Sequence, residues 1–428
     1  RSFHPLFLFF PADMKVLSIV NNNVVRDARV QKEARSLMEA GHEVTIVGVQ
    51  DRSYLPLNEA INGIPVVRIP RTGWYAFLWK RFGGDGKEKH TSNSNGHKGT
   101  SNSWKQLLKA LWIPFHREIV FQNFYRGAAQ FIAGQEVDVL HIHDLNALPI
   151  INRLGRHKSK VVYDAHELYT ELATLNPAQR RSYQKMESKL IQKVDVVITV
   201  NDSIAGELKE RYGIKQPVVV RNCPFLDQQG VQAPYQLRDK LSIAHDQSIV
   251  LFQGGYTKGR GIESLIEVMK GVDKVHLVLL GWGPLEAELK VLCQGLGLEE
   301  KIHFLPPVEQ SQLIAVSAQA DIGVIPYQAL GLNNYYTSPN KLFEYIHAGL
   351  AIAGSEYPEL KRVIEYYQVG EVFDPMSVES IRATLVRMVN DREKTEAYRQ
   401  NTSKAAAELN WEREAGVLLQ VYEQLGAQ

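Results

Sequence analysis

Residues 14–49 read MKVLSIVNNNVVRDARVQKEARSLMEAGHEVTIVGV, and this stretch decides the fold class. Met14 opens an apolar run of strand length, KVLSIV; a helix-length spacer follows, and then a second apolar run, HEVTIVGV. Within the spacer Val30, Ala34 and Leu37 fall at i, i+4 and i+7, one face of a helix, and Gly41 stands where that helix would stop. Two continuously apolar strands joined through a helix imply a parallel sheet covered on both faces.

The alternation continues in VDVLHIHD (137–144), SKVVYDAHE (159–167) and VDVVITV (194–200). A second series begins with SIVLFQGG (248–255) and runs through VHLVLLGWG, KIHFLP, ADIGVIP and LAIAGS (350–355). Between the series lies VVVRNCPFLDQQGVQAPYQL (218–237), a strand followed by a polar stretch, so a hinge is expected around 222–236. An α/β chain of 428 residues, 44% hydrophobic and 22% charged, therefore reads as two domains.

Forty-nine basic against 47 acidic residues leave a net charge of +2, which excludes a polyanion such as nucleic acid as the main partner. Two cysteines, Cys223 and Cys293, provide neither a disulfide framework nor a zinc motif, and a reducing, cytoplasmic setting is expected. The apolar runs Leu6–Phe10 and Val275–Leu280 fall short of the ~20 residues of a membrane span. Residues 1–13 carry no signal-peptide pattern and read as an upstream extension.

The near-neutral total hides a local excess. Residues 71–118 hold nine Lys/Arg against three Asp/Glu, and four of the chain's six Trp. Their centre, 83–103, is Gly/Ser/Asn-rich and reads as a mobile insert. The flanks, 74–82 and 104–118, combine Trp74, Trp79, Trp104 and Trp112 with Lys80, Arg81, Lys105 and Lys109. That composition suits docking on an anionic membrane surface, and equally suits packing against the first domain.

Two segments carry phosphate-binding chemistry. In TSPNKLFEYIHAGLAIAGS (337–355) Ser338 suits a helix cap, Pro339 the first helical position and Gly349 the stop. Free N–H groups at Asn340 and Lys341, beside the lysine ammonium, would cradle a diphosphate, and Glu344 could accept hydroxyl hydrogen bonds. In GGYTKGRGIESL (254–265) glycines allow close backbone approach while Lys258 and Arg260 add positive charge. Each segment alone could be a capped core helix or a tight turn; two in one domain reinforce the anion-site reading.

With these motifs in place the chain resembles a retaining glycosyltransferase of the GT-B architecture, close to glycosyltransferase family 4, from Met14 to the C-terminus apart from the insert. RDARVQKEARSLMEAGHEVTIVG, VDVLHIHDLNALP and VVYDAHELYTE resemble the family's N-terminal domain; KGRGIESLIEV and SPNKLFEYIHAGLAIAGSEYPE resemble its donor-binding segments. The resemblance implies two Rossmann-like domains facing a central cleft. An acceptor-side domain at 14–224 would be completed by a crossover helix at 409–428, with Trp411, Val417 and Val421 in contact, and a donor domain would occupy 225–408.

By position, Arg260 and Lys341 resemble the basic residues on the donor diphosphate, and Gly254 and Gly255 the turn beneath it. Glu344 resembles the second, ribose-side glutamate of a Glu-x7-Glu pattern whose first position is placed at Thr337, a departure from the family. Pro307 and Val308 would meet the base through backbone. His143, with Asp144 beside it, resembles the histidine facing the donor sugar, whereas His141 reads as an ordinary buried histidine. Asp164, His166 and Glu167 could bind acceptor, shape the cleft or equally brace a loop. Asn23, Arg26 and Asp27, following Asn21 and Asn22 where the family has a Gly-rich loop, are placed in the cleft, with helix capping as the ordinary reading.

The chemistry so implied is front-face transfer of a hexosyl or acetamidohexosyl group from a nucleotide-diphosphate sugar, UDP-sugar favoured, to a hydroxyl of a sugar or lipid-linked acceptor. It needs no metal and no cofactor, because cations and a helix N-terminus stabilise the leaving diphosphate. The expected setting is polysaccharide biosynthesis in the cytoplasm, peripheral on the inner membrane face. Two other readings stay open: a non-catalytic GT-B scaffold, suggested by Thr337, and a sugar-nucleotide epimerase of the same fold.

Overall fold

The computed structural model describes residues 13–71, 120–155, 157–226 and 231–427. The upstream extension, the insert at 83–103 and its aromatic-basic flanks at 74–82 and 104–118 lie outside the described residues. The chain divides into two compact units: Arg1–Asp164 with Leu190–Val196 and Tyr422–Gln428, and Ala165–Lys189 with Val197–Val421.

In the first unit β1 (Lys15–Ile19) lies between β2 (Glu43–Gln50) and β5 (Val139–His143), parallel to both. On the far side of β2 the chain adds β3 (Asn58–Ile61) and β4 (Ile64–Pro70), an antiparallel hairpin, and β5 pairs in parallel with β6 (Lys160–Ala165). The helix Ala28–Glu39 connects β1 to β2 with Val30, Ala34 and Leu37 buried, as its spacing requires. Asp27 caps it by accepting from the Val30 N–H at 3.2 Å, and Gly41 follows at φ +96°. Every residue of β5 (VLHIH) is buried, so its sequence carries two imidazoles into the interior.

A short parallel pair joins β7 (Val196–Thr199) to β8 (Val218–Val219). The second unit holds β9 (Ser248–Gly255), β10 (Val275–Trp282), β11 (Ile302–Leu305), β12 (Ile322–Ile325), β13 (Ala351–Ser355) and β14 (Gly370–Phe373). They form one parallel sheet in the order β11-β10-β9-β12-β13-β14. Strand alternation sends Ile249, Leu251, Val278 and Leu280 into one core, with Phe343 and Tyr345, and Val250, Phe252, Leu277 and Leu279 into the other. Apolar side chains on both faces explain why these strands read as unbroken hydrophobic runs.

Each unit thus carries a mainly parallel sheet flanked by helices, and the chain is α/β with two Rossmann-like domains. Among the described residues no helix is long and apolar enough to cross a membrane.

Candidate functional site

In the second unit the carboxyl ends of β9, β10, β11 and β12 open into a pocket of about 1080 Å³, the place where open parallel sheets take ligands. Gly254, Gly255, Lys258, Arg260, Pro307, Val308, Ser338, Asn340, Lys341 and Glu344 all line it. His166 and Glu167 line it as well.

Lys341 stands in the first turn of the helix Asn340–His347, whose Leu342, Phe343, Tyr345 and Ile346 are buried in the core. The amphipathic pattern seats the helix and carries Lys341 inward with it: the residue is only 6% exposed. Its Nζ makes no hydrogen bond among the described residues and lies over the Phe252 ring, 3.8 Å from the centroid. Tyr327 presents a second ring at 4.9 Å from Lys341 Nζ and at 4.1 Å from the Arg260 guanidinium. Burial, reinforced by the charge of Arg260 and opposed by Glu344, holds the Lys341 ammonium well below the ordinary lysine range. Neither cation has a carboxylate ion pair among the described residues. Positive charge held on π-faces instead of carboxylates is charge left for a ligand.

The turn after β9 lets a ligand approach. Gly254 has φ +124°, and a Cβ there would sit 3.3 Å from Lys341 Nζ, in the space above the ammonium. Arg260 follows in the same turn, with its N–H donating to the Thr257 carbonyl at 3.3 Å.

Glu344 lies one helical turn beyond Lys341. Its carboxylate accepts from Gln253 Nε2, and from Gln310 Nε2 at 3.3 Å. Gln253 is itself held by Ser317, whose hydroxyl donates to Gln253 Oε1 at 2.7 Å. Carboxylate and amides thereby present a row of fixed polar groups between the cations and the loop bearing Pro307 and Val308. On another wall Asn333 donates to Glu167 Oε2 at 3.0 Å and accepts from the Leu168 N–H at 2.9 Å.

Two expectations about the helix start need correction. The helix begins at Asn340, and Pro339, extended at φ −71° and ψ 147°, occupies the cap position without a side-chain cap. Ser338 is not the cap; its hydroxyl oxygen accepts from Asn201 Nδ2 at 3.1 Å. The Glu-x7-Glu spacing also counts back from Glu344 to Tyr336, not Thr337; neither is acidic, so the departure from the pattern stands.

The structure places the remaining candidates elsewhere. His143 is fully buried, with Nε2 at 2.8 Å from Ser18 Oγ and Nδ1 at 3.3 Å from Asp164 Oδ2. It is thus an interior residue of the first unit and not part of the pocket lining. Asp164 is equally buried and takes a two-point contact from Arg29 Nε and Nη2, each at 2.8 Å, and it does not line the pocket. Glu33 approaches Arg29 Nε at 3.0 Å and His141 Nε2 at 3.6 Å, while His141 Nδ1 meets the Tyr422 hydroxyl at 2.8 Å. Burial disfavours the Arg29 charge, but Asp164 and Glu33 outweigh it and raise its pKa. Two imidazoles and two carboxylates converge closely enough to hold a cation, and the Arg29 guanidinium is the cation lying against both carboxylates.

Asp144 follows β5 at φ +61°, its N–H donating to the Asp164 carbonyl at 2.9 Å. Asp27 is the helix cap described above, and Asn22 Nδ2 donates to it at 2.7 Å. Asn23 Nδ2 donates to Asp51 Oδ1 at 3.1 Å, and Arg26 is exposed. None of these residues lines the pocket. Conversely, Gln253, Gln310, Asn333 and Trp282 line it and were missed, because amides and single aromatics carry no motif.

Two Rossmann-like domains, one with Lys258, Arg260 and Lys341 lining a pocket at its strand ends, define an α/β class that hosts many different activities. Sequence comparison is specific within it. The model of the "Glycosyl transferase 4-like domain" matches residues 27–223, and that of "Glycosyl transferases group 1" matches 235–405. An uncharacterized glycosyltransferase of Methanocaldococcus jannaschii is 24% identical over 91% of this chain and 91% of its own length. A phosphatidyl-myo-inositol mannosyltransferase of Mycolicibacterium smegmatis is 24% identical over 74% of this chain and 79% of its own. Among solved structures, Anabaena HepE in complex with UDP and glucose superposes with a TM-score of 0.67 at 15% identity, covering 97% of this chain and 100% of that one. The chain is a GT-B glycosyltransferase resembling family 4.

Proposed function

We propose that this glycosyltransferase is a retaining enzyme that takes a nucleoside-diphosphate sugar, UDP-sugar favoured, and passes its hexosyl or acetamidohexosyl group to a hydroxyl acceptor. One observation carries the donor assignment: Lys341 and Arg260 bring to one pocket, beside a glycine turn, two cations without carboxylate partners among the described residues. A diphosphate neutralises both. The UDP in the HepE complex supports the choice of base.

In the proposed step the bond from the sugar's anomeric carbon to the diphosphate oxygen breaks, and the acceptor oxygen bonds to the same face of that carbon. The acceptor's proton passes to a departing phosphate oxygen. Lys341, Arg260 and the N-terminus of the Asn340–His347 helix stabilise the charge that develops on the diphosphate. Glu344, fixed by Gln253 and Gln310, accepts from the ribose hydroxyls, while Asn340 and Ser338 line the phosphate side and Lys258 the entrance. His166 and Glu167, the latter held by Asn333, supply acceptor-side polar groups. This assignment leaves no step to a metal or cofactor, so excess EDTA should leave turnover unchanged. His143 and Asp144 act on the reaction only through the packing of the first unit.

The phosphatidyl-myo-inositol substrate in one relative's name supports a lipid-linked acceptor. The Trp- and Lys/Arg-rich sequence at 74–82 and 104–118 supports peripheral contact with an anionic membrane at the cytoplasmic face, in polysaccharide or glycolipid synthesis. Co-sedimentation with anionic vesicles at low salt tests the membrane contact.

The decisive test is turnover of UDP-, GDP- and ADP-sugars by the unaltered chain and by Arg260→Ala. One donor should be hydrolysed or transferred with retention at the anomeric carbon, read by NMR, and Arg260→Ala should lower the rate by roughly 10²–10³-fold. Equal rates in both proteins would remove Arg260 from the mechanism. Inverted product would overturn the retaining assignment.

A further inference from the structure

Trp282 closes β10 and is 62% exposed, although it lines the pocket. A single exposed apolar side chain is ordinary, but this one lines the pocket, where a flat indole offers a π-face to a ligand. We propose that Trp282 is the stacking platform for the base of the donor nucleotide; the inference rests on reading this pocket as the nucleotide-sugar site.

The backbone around Trp282 packs closely against the turn after β9. A Cβ on Gly281 would lie 2.0 Å from the Gly254 carbonyl oxygen, and one on Gly283 would lie 2.4 Å from the Tyr256 carbonyl oxygen. The Trp282 carbonyl also accepts from the Tyr256 N–H at 2.9 Å. The two glycines press the chain against the turn after β9, and the side chain between them stands at the pocket mouth.

The order of strands says which part of the ligand it meets. The cations cluster over β9, where Gly254 faces Lys341 Nζ. Trp282 pairs in register with Gly255 on the next strand, β10, and Pro307 and Val308 follow β11 beyond it. Two strand spacings, about 10 Å, separate the cation cluster from that loop, room for a ribose and a base. Glu344, bonded to Gln310 just past Val308, lies on the path between them. His166, Glu167 and Asn333 also line the pocket, and their polar groups suit sugar hydroxyls better than a flat π-system.

The test is calorimetric titration with UDP, GDP, ADP and inorganic pyrophosphate, on the unaltered chain and on Trp282→Ala, Trp282→Phe and Arg260→Ala. For whichever nucleotide binds, Trp282→Ala should weaken affinity roughly ten- to a hundredfold, as loss of a base–aromatic stack does. Pyrophosphate should bind it unchanged, and Trp282→Phe should keep most of the nucleotide affinity. Nucleotide binding as tight as in the unaltered chain, or an equal loss of pyrophosphate, would overturn the stacking role. Should Arg260→Ala leave nucleotide and pyrophosphate binding intact, the reading of the pocket itself falls; should it abolish both while Trp282→Ala changes nothing, only the stacking inference falls.

Discussion

Lys341 is a buried ammonium resting on aromatic faces with no hydrogen-bond partner among the described residues, an arrangement that costs the free protein stability and is relieved when an anion arrives. Its folded pKa lies well below the value it has in the unfolded chain. Between those two values the unfolded chain binds the extra proton, so this group's contribution to stability falls as pH falls through the window and is restored above the ordinary lysine pKa. A bound diphosphate reverses the shift. Nucleotide binding should therefore take up protons within the window, measurable by titration calorimetry in buffers of different ionisation enthalpy. Lys341→Met should abolish that uptake and nearly all diphosphate affinity, yet raise the melting temperature of the free protein by a few degrees, since a thioether packs well on Phe252 and Tyr327. A free protein that melts lower would mean the ammonium is already stabilised without ligand. Lys341 and Glu344 were legible in the sequence because they stand in a motif. Trp282 was not, because only the fold brings the end of β10 to the pocket.

At the scale of elements, periodicity legislated the helices and strands but not their ends. The Asn340–His347 helix was legible from its apolar face, while its start fell one residue late because Pro339 adopts an extended conformation. Likewise β5 was legible as a strand, but not that its end is sealed: the Arg29–Asp164 pair covers His143, and such a pairing of residues 135 positions apart leaves no local signature. The glycine turn after β9 was legible, and its geometry explains why. Gly261 has φ +67°, and a Cβ there would lie 1.9 Å from the Pro326 carbonyl oxygen. Gly261→Ala must displace either this turn or the loop after β12, both of which carry pocket residues. It should destabilise the protein by more than ~1 kcal/mol in urea denaturation and weaken pyrophosphate binding at the same time. Unchanged binding in a folded Gly261→Ala would detach the turn from the anion site.

For the whole molecule, the two alternating series made a two-domain α/β chain legible, and the family models meet the chain on either side of residues 224–234. The compact units divide elsewhere, between Asp164 and Ala165, because packing and not chain order sets that boundary. The last seven residues show the same principle. Tyr422–Gln428 belong to the first unit, and the Tyr422 hydroxyl meets His141 across 281 positions of sequence. Tyr422 is fully buried, and burial, reinforced by the Glu33 and Asp164 charges, holds its phenol well above the ordinary tyrosine range, so it stays a neutral hydroxyl. Tyr422→Phe removes that hydroxyl alone and should cost about 1 kcal/mol. Ending the chain at Val421 also removes Leu425 and exposes a charge network built to be dry, so it should open the first unit selectively. Hydrogen exchange would read this as lost protection in β1 and β5 while β9 and β10 stay protected. Equal protection throughout would show that the first unit folds without its C-terminal residues, and a uniform loss would show that the two units unfold as one.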